Sequence, residues 1–320
     1  MKLAIVILNF NGLDDTLACL DSIRKLKNDD IFLETIVVDN FSSDGSQEAL
    51  SKIEDINFIQ NQDNLGDGSQ EALSKIEDIN FIQNQDNLGY AGGNNVGIKY
   101  ALKRRADAVL ILNNDTIVDQ KLILNLVTSL DRGDVISPKI FFAKGFEFHK
   151  LRYSPKDLGK VIWSAGGEID WSNVLGKHLG VDEVDRGQFG VRKQITFATG
   201  ACMFVKREVF EKIGYFDEKY FLYLEDMDFC MRAKKAGFRI IFEPSAVVWH
   251  KNASSSGGSG SALQDYFISR NRLLIAFKFA SIRTKFALFR HVLGQIKNPI
   301  KRKALVDFLT FNFGKGSYIK

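Results

Sequence analysis

Three short apolar runs limit what this chain can fold into. Residues 3–8 (LAIVIL), 33–39 (LETIVVD) and 109–116 (VLILNNDT) are rich in aliphatic side chains, and each runs into polar turn residues. A short apolar run bounded in this way reads as a strand buried on both faces, as parallel strands are. Between the first two, Leu17, Leu20, Ile23 and Leu26 recur at helical spacing, behind Asp14, Asp15 and Thr16, which can cap the helix. Strand, helix, strand is the βαβ pattern of a doubly wound α/β sheet. Such sheets bind ligands at the carboxyl ends of their strands. Asp39 and Asp115 therefore stand as carboxylates at the lips of buried strands. A hard cation chelated by a diphosphate needs one or two such oxygens, although an Asx-capped turn would use the same residues.

The next stretch is unusual. Residues 44–66 (DGSQEALSKIEDINFIQNQDNLG) recur letter for letter as residues 67–89. Each copy holds one helical segment (SQEALSKI) and one strand (INFIQ), and one unit is enough for a βαβ crossover. The surplus 23 residues are expected to be extruded at the surface, where a long insertion costs little closure entropy. Residues 87–97 (NLGYAGGNNVG) then read as a Gly-rich loop opening a helix over 95–105. They lack the GxGxxG spacing, yet they suit close backbone approach to a ligand as well as a flexible turn.

Further strands are expected over 134–142, 160–167 and 195–206, the last with Thr199, Gly200 and Ala201 in its middle, where small residues leave room for a substrate. Residues 174–192 are poorly patterned, and 208–213 read as a short helix. Aromatic and aliphatic residues lead into Glu225, Asp226 and Asp228, at the start of a helix that Gly237 stops. Three carboxylates there fit capping and dipole complementarity; one held against an apolar wall also fits a general base. Strands over 238–242 and 246–249 follow, and the second ends in His250. Residues 252–261 form a Gly/Ser-rich lid or linker, and a helix over 262–278 carries Tyr266, Arg270, Asn271 and Arg272.

Charge divides the chain unevenly. From residue 262 to the end there are 12 Lys/Arg against 2 Asp/Glu, whereas the preceding residues carry 31 against 37. A basic tail mixing Phe and Leu with Lys and Arg reads as an amphipathic helix at an anionic surface. The acidic body and the lack of a reading module argue against nucleic acid. No apolar run reaches the roughly 18 residues that span a bilayer. Cys19, Cys202 and Cys230 are far apart, which points to a reducing compartment and no zinc site.

With these segments in line, the chain resembles the inverting, nucleotide-sugar-dependent glycosyltransferases of family 2, above all their bacterial rhamnosyltransferase-like branch. The likeness covers residues 2–274 and rests on eight stretches in the family's order: VILNFNG, VVDNFSSDGS, NLGYAGGNNVG, ILNNDT, TGACMFVKREVFEKIGYFDE, YLEDMDFCMRAKKAG, VVWH and YFISRNRL. The resemblance implies a GT-A fold: a Rossmann-like nucleotide-diphospho-sugar transferase with a mixed, mostly parallel sheet flanked by helices. A transferase domain over 1–261 would precede a basic, helical, membrane-proximal segment over 262–320.

It also implies roles. Asn9 and Asp39 would line the base and ribose pocket, and Asn87, Gly92 and Asn94 would lie near the nucleotide and diphosphate, with Asn113 and Asn114 beside them. Asp115 stands at the family's DxD motif, whose first position here is Asn113. With one carboxylate left, binding of Mg²⁺ or Mn²⁺ would lean on the diphosphate and on His250. Asp226, next to Glu225, matches the catalytic base, and Arg270 and Asn271 would close the site over the diphosphate. The expected donor is dTDP-rhamnose or a UDP-hexose. The expected acceptor is a glycan or a polyprenyl-diphosphate-linked sugar, met in the cytoplasm at the inner membrane surface in cell-surface polysaccharide synthesis. The rival expectation is a non-catalytic nucleotide-sugar-binding scaffold silenced by the duplication.

Overall fold

The computed structural model describes residues 1–52, 56–60, 79–252 and 261–319. The chain opens with β1 (Lys2–Asn9), α1 (Leu13–Ile23), β2 (Phe32–Asp39), α2 (Ser46–Ser51), β3 (Ile56–Gln60) and β4 (Ile79–Gln83). It continues with α3 (Gly89–Lys103), β5 (Ala108–Asn113), β6 (Thr116–Val118), α4 (Leu122–Val127) and β7 (Val135–Phe142). Short strands follow: β8 (Ile162–Ser164), β9 (Gly167–Asp170), β10 (Leu175–His178) and β11 (Lys193–Gln194). Then come β12 (Cys202–Lys206), α5 (Arg207–Ile213), α6 (Glu225–Lys235) and β13 (Ile240–His250), and the chain ends in α7 (Ala262–Phe279), α8 (Ile282–Gly294) and α9 (Pro299–Leu309).

The main sheet runs β11-β13-β7-β12-β5-β1-β2-β4-β3, with β6 on β13 and β8 on β7, while β9 and β10 form a separate hairpin. β5, β1, β2, β4 and β3 are mutually parallel, as are β7 and β13; β12 runs antiparallel between its neighbours. Strand periodicity divides the core in two. Ala4, Val6, Ile36, Val38, Val109 and Ile111 point to one face, under α3 and α6; Leu3, Ile5, Ile7, Val37, Leu110 and Leu112 point to the other, under α1 and α4. Both faces are covered, which is why these strands read as apolar runs without alternation.

Several expectations are corrected. The helix starts at Gly89, the last residue of the repeat, so residues 89–97 of the Gly-rich stretch are its first two and a half turns and not a loop. Its glycines permit contact with the sheet: a Cβ on Gly93 would come within 2.4 Å of Leu8 Cδ1, and one on Gly97 within 2.5 Å of Val6 Cγ1. The strand expected over 195–206 is confined to Cys202–Lys206, because Gly200 and Ala201 form a turn. The two strands around residue 245 are one, bulged between Glu243 and Val247. α1 is capped by Gly12 without a side-chain bond; Asp14 and Asp15 lie in its first turn, and Leu17 is among the exposed large apolar residues while Cys19 is buried.

The repeated unit is shared between the copies. α2 comes from the first copy, whereas the strand beside β2 comes from the second. The first copy's strand is not expelled as a loop. It pairs in parallel with β4 at the sheet edge, each residue opposite its own duplicate from Ile56↔Ile79 to Gln60↔Gln83. Once β4 is docked, its outer edge still offers unpaired N–H and C=O groups, and an identical strand satisfies them. The second copy's helical segment and residues 253–260 of the Gly/Ser-rich stretch lie outside the described residues.

Close helix-to-sheet contact at α3 gives a test. Gly97→Ala forces a methyl group into Val6 and should cost about 1–3 kcal/mol, read as a lowered thermal midpoint; an unchanged midpoint would contradict this packing.

Candidate active site

The carboxyl ends of β1, β2 and β5 meet in a buried polar network. Asn9 Nδ2 donates to Asp39 Oδ1 at 2.7 Å and to Ser42 Oγ at 3.1 Å; Asn9 Oδ1 accepts from Thr16 Oγ1 at 2.8 Å. Asn114 Nδ2 reaches Thr16 Oγ1 at 3.0 Å and the Gly12 carbonyl at 3.3 Å. Asn9 and Asp39 have no exposed surface, so they stand behind the wall of the cavity rather than at it. Asn40, one residue on, is in the wall. Its side chain accepts from Asn84 Nδ2 and the Leu88 amide and donates to Asn87 Oδ1.

That cavity holds about 330 Å³ and is lined by Leu8, Phe10, Asn40, Asn87, Tyr90, Asn113, Asn114 and Asp115, with Phe221, Leu222, Leu263 and Ile319 from later in the chain. Among the described residues lining it, Asp115 is the one charged residue, and there is no Lys or Arg. β13 brings His250 to it: His250 pairs in register with Thr116, and His250 Nε2 lies 3.0 Å from Asp115 Oδ1. His250 Nδ1 is buried without a hydrogen-bond partner among the described residues, and Trp163 meets the ring edge-on. Among the described residues no group of three or more His, Cys, Asp or Glu gathers to hold a metal ion. Gly92 and Asn94 sit inside α3, where Asn94 Nδ2 donates to the Tyr90 carbonyl, and they do not line the cavity.

The acidic helix start is set by a strained loop. Phe221, Tyr223 and Leu224 all have left-handed φ, between +62° and +70°, which side chains with a Cβ seldom adopt. Asn271 Nδ2 donates to the carbonyls of Tyr220, Leu222 and Tyr223, and Arg270 to those of Lys219, Tyr220 and Gly314. Arg270 and Asn271 are fully buried. They hold this loop from behind, and the structure does not present them to the cavity. Asp228 is likewise structural, buried between Arg232, Lys278 and the Tyr220 hydroxyl.

The loop leaves Glu225 buried and Asp226 half-buried at the first turn of α6. Asp226 Oδ2 accepts the Gly200 N–H at 3.0 Å and Oδ1 the Met227 N–H at 2.8 Å. Burial, with the charge of Asp226 beside it, pushes the Glu225 carboxyl well above the usual carboxylate range. Burial also raises Asp226, but those two N–H donors oppose the rise. The pair is thus biased toward a protonated Glu225 and an ionised Asp226. Tyr90 joins this end to the cavity. Its hydroxyl donates to the Gly200 carbonyl at 2.6 Å, and burial, with the charges of Glu225, Asp226 and Asp115, raises its pKa.

Sequence reasoning quoted Tyr90 without a role, and it missed Asn40 and Ile319. Ile319 reaches the cavity because the final segment folds back: Tyr318 stacks on Tyr266, and Lys315 pairs with Asp86. Only the polar turn that begins at Asp39-Asn40, at the carboxyl end of an apolar run, could have pointed to Asn40.

A profile of the family described as "Glycosyltransferase like family 2" matches residues 2–273. The low-salt glycan biosynthesis hexosyltransferase Agl10 of Haloferax volcanii is 28% identical over 85% of this chain and 74% of its own length. The N-acetylglucosaminyl-diphospho-decaprenol L-rhamnosyltransferase of Mycobacterium tuberculosis is 42% identical over 20% of this chain and 21% of its own. Among solved structures, GalNAc-T7 with UDP, GalNAc and Mn²⁺ superposes with a TM-score of 0.58 at 16% identity, covering 87% of this chain and 48% of that one. This last likeness concerns the fold.

The Glu225 environment has a measurable consequence. A carboxyl raised in the folded state contributes stability below its unfolded pKa of about 4.3 and loses it as pH rises. Glu225→Gln should therefore gain thermal stability relative to the parent as pH climbs from 4.5 toward 8. A difference that does not change with pH would rule out the raised carboxyl.

Proposed function

The chain belongs to glycosyltransferase-like family 2, in its rhamnosyltransferase-like branch with the GT-A fold, and we propose that it moves a sugar from a nucleotide diphosphate to an acceptor hydroxyl with inversion. What carries this reading is one arrangement. Asp115 shares the wall of the cavity with Tyr90, and Asp226 is tied to Tyr90 through Gly200. The donor would lie in the cavity, with the apolar walls of Phe10, Phe221, Leu222 and Ile319 around it and Asn87, Asn113 and Asn114 as polar contacts.

Asp226 would act as the general base. The acceptor O–H passes its proton to the Asp226 carboxylate as the oxygen bonds to the anomeric carbon, and the bond from that carbon to the diphosphate breaks. One displacement inverts the centre and releases a nucleoside diphosphate. Glu225, held protonated, avoids a second negative charge beside the base.

A divalent cation, Mg²⁺ or Mn²⁺, suits the charge of the cavity. Asp115 lines it and no described cationic residue does, so a diphosphate placed there alone would meet only repulsion. Asp115 and His250 are the residues that would hold the cation, which when bound stabilises charge on the leaving diphosphate. Rhamnose from dTDP-rhamnose is the favoured donor, since a rhamnosyltransferase is among the relatives, and a UDP-hexose stands second. A glycan or polyprenyl-diphosphate-linked acceptor at the inner membrane surface suits the basic tail. No helix among the described residues is long and apolar enough to cross a membrane, so attachment would be peripheral.

Release of nucleoside diphosphate from a panel of nucleotide sugars tests the reading. Asp226→Asn should lower turnover by about 10²–10⁴-fold while nucleotide binding persists, and Asp115→Asn should raise the cation concentration required. Activity of the parent should fall as pH drops, along a limb above the ordinary aspartate value of about 3.9, because burial raises Asp226. Parental turnover by Asp226→Asn would overturn the assignment.

A further inference from the structure

A second cleft, of about 370 Å³, opens between the tip of the β9–β10 hairpin and helices α7 and α8. Arg272 enters it from α7. Its Nε donates to the Asn173 carbonyl at 2.7 Å, which fixes the planar guanidinium against the hairpin turn. Arg283, Thr284 and His291 come from one side of α8, and the Trp171 indole stands at the rim. No acidic side chain is among the described residues lining the cleft. Asp170, whose charge acts on Arg272, is held by the Ser172 and Asn173 amides and the Asn173 side chain.

The same helix is apolar on an outward row. Ile282 and Phe286, one turn apart, are 80% and 69% exposed, and Phe277 at the end of α7 is 65% exposed. Arg283 follows Ile282 directly, so a guanidinium stands between the apolar row and the cleft. In water such exposed aromatic and aliphatic side chains are unfavourable. Beside cations and an indole, they match the boundary between lipid headgroups and acyl chains.

We propose that this cleft seats the phosphate of a membrane lipid headgroup, with Ile282 and Phe286 entering the acyl boundary. Two guanidiniums suit a phosphate, and the fixed Arg272 loses little freedom on binding it. The inference rests on the proposed transfer at a membrane only for its purpose; the binding event is independent of donor chemistry.

The test is sedimentation of the full chain with vesicles of phosphatidylcholine alone and of phosphatidylcholine with added phosphatidylglycerol. Binding should require phosphatidylglycerol and weaken as salt rises. Arg283→Glu and Ala287→Glu, both at exposed positions, should each lower it by about tenfold or more, with the melting temperature and nucleotide-sugar turnover unchanged. Ile282→Ser with Phe286→Ser should lower it as well. Parental binding by either Glu variant, or equal binding to both vesicles, would overturn the proposal. So would calorimetric binding of inorganic diphosphate, lost in Arg283→Glu, without any vesicle binding: that pattern marks a site for free phosphate. Vesicle binding as described in a protein that turns over no donor would leave the headgroup seat standing and remove the transferase mechanism.

Discussion

Five backbone carbonyls on two buried side chains hold the acidic end of this site in place. The chain between Lys219 and Leu224 takes left-handed turns at residues that are not glycine, and it leaves carbonyls pointing where no helix or strand can receive them. Buried carbonyls need partners, and a set of them left unpaired would unfold such a loop. Arg270 and Asn271 supply the donors. The geometry of Glu225 and Asp226 thus depends on α7, although the two regions are distant in sequence. The same loop touches α3: the Phe221 carbonyl accepts the Ala91 N–H, and a Cβ on Gly89 would come within 2.4 Å of that carbonyl oxygen. A left-handed glycine is what lets the helix begin so close.

The opposite side of the site obeys a different constraint. Parallel strands end together at β1, β2 and β5, and their last polar side chains are buried. Asn9, Asp39 and Thr16 satisfy one another there with no exposed surface, and Asn114 joins them through Thr16 while also lining the cavity. Their neighbours Asn40, Asn113 and Asp115 face the cavity. At the end of β2 one residue decides between scaffold and wall: Asp39 lies behind the cavity and Asn40 in its wall.

The repeated unit shows how tolerant an edge is. Its two copies are chemically equal, yet the one continuous with α3 takes the place beside β2, and the other adds to the rim in register with it. The rim lies away from β5 and β13, so Asp115 and His250 meet undisturbed. The basic tail likewise divides: α7 is part of the core, whereas α8 gives it Leu288 and Val292 and keeps Ile282 and Phe286 outside.

Much of this protein was legible in its residues. The apolar runs determined the buried strands, the polar turns at their carboxyl ends marked where the cavity opens, and the order of the motifs carried the family. Local pattern suffices for these because burial on two faces and helix periodicity are written along the chain. It did not suffice to place Arg270, Asn271, Asn9 and Asp39, whose types suit a diphosphate or a ribose and whose side chains are buried in hydrogen bonds to other segments of the chain. Nor could it tell that GYAGGNNVG is a helix, since glycine lowers helix propensity and only the proximity of Val6 and Leu8 explains its presence. Which polar group faces a cavity and which faces a buried carbonyl is a question of packing between distant segments, and that was decided by the tertiary structure.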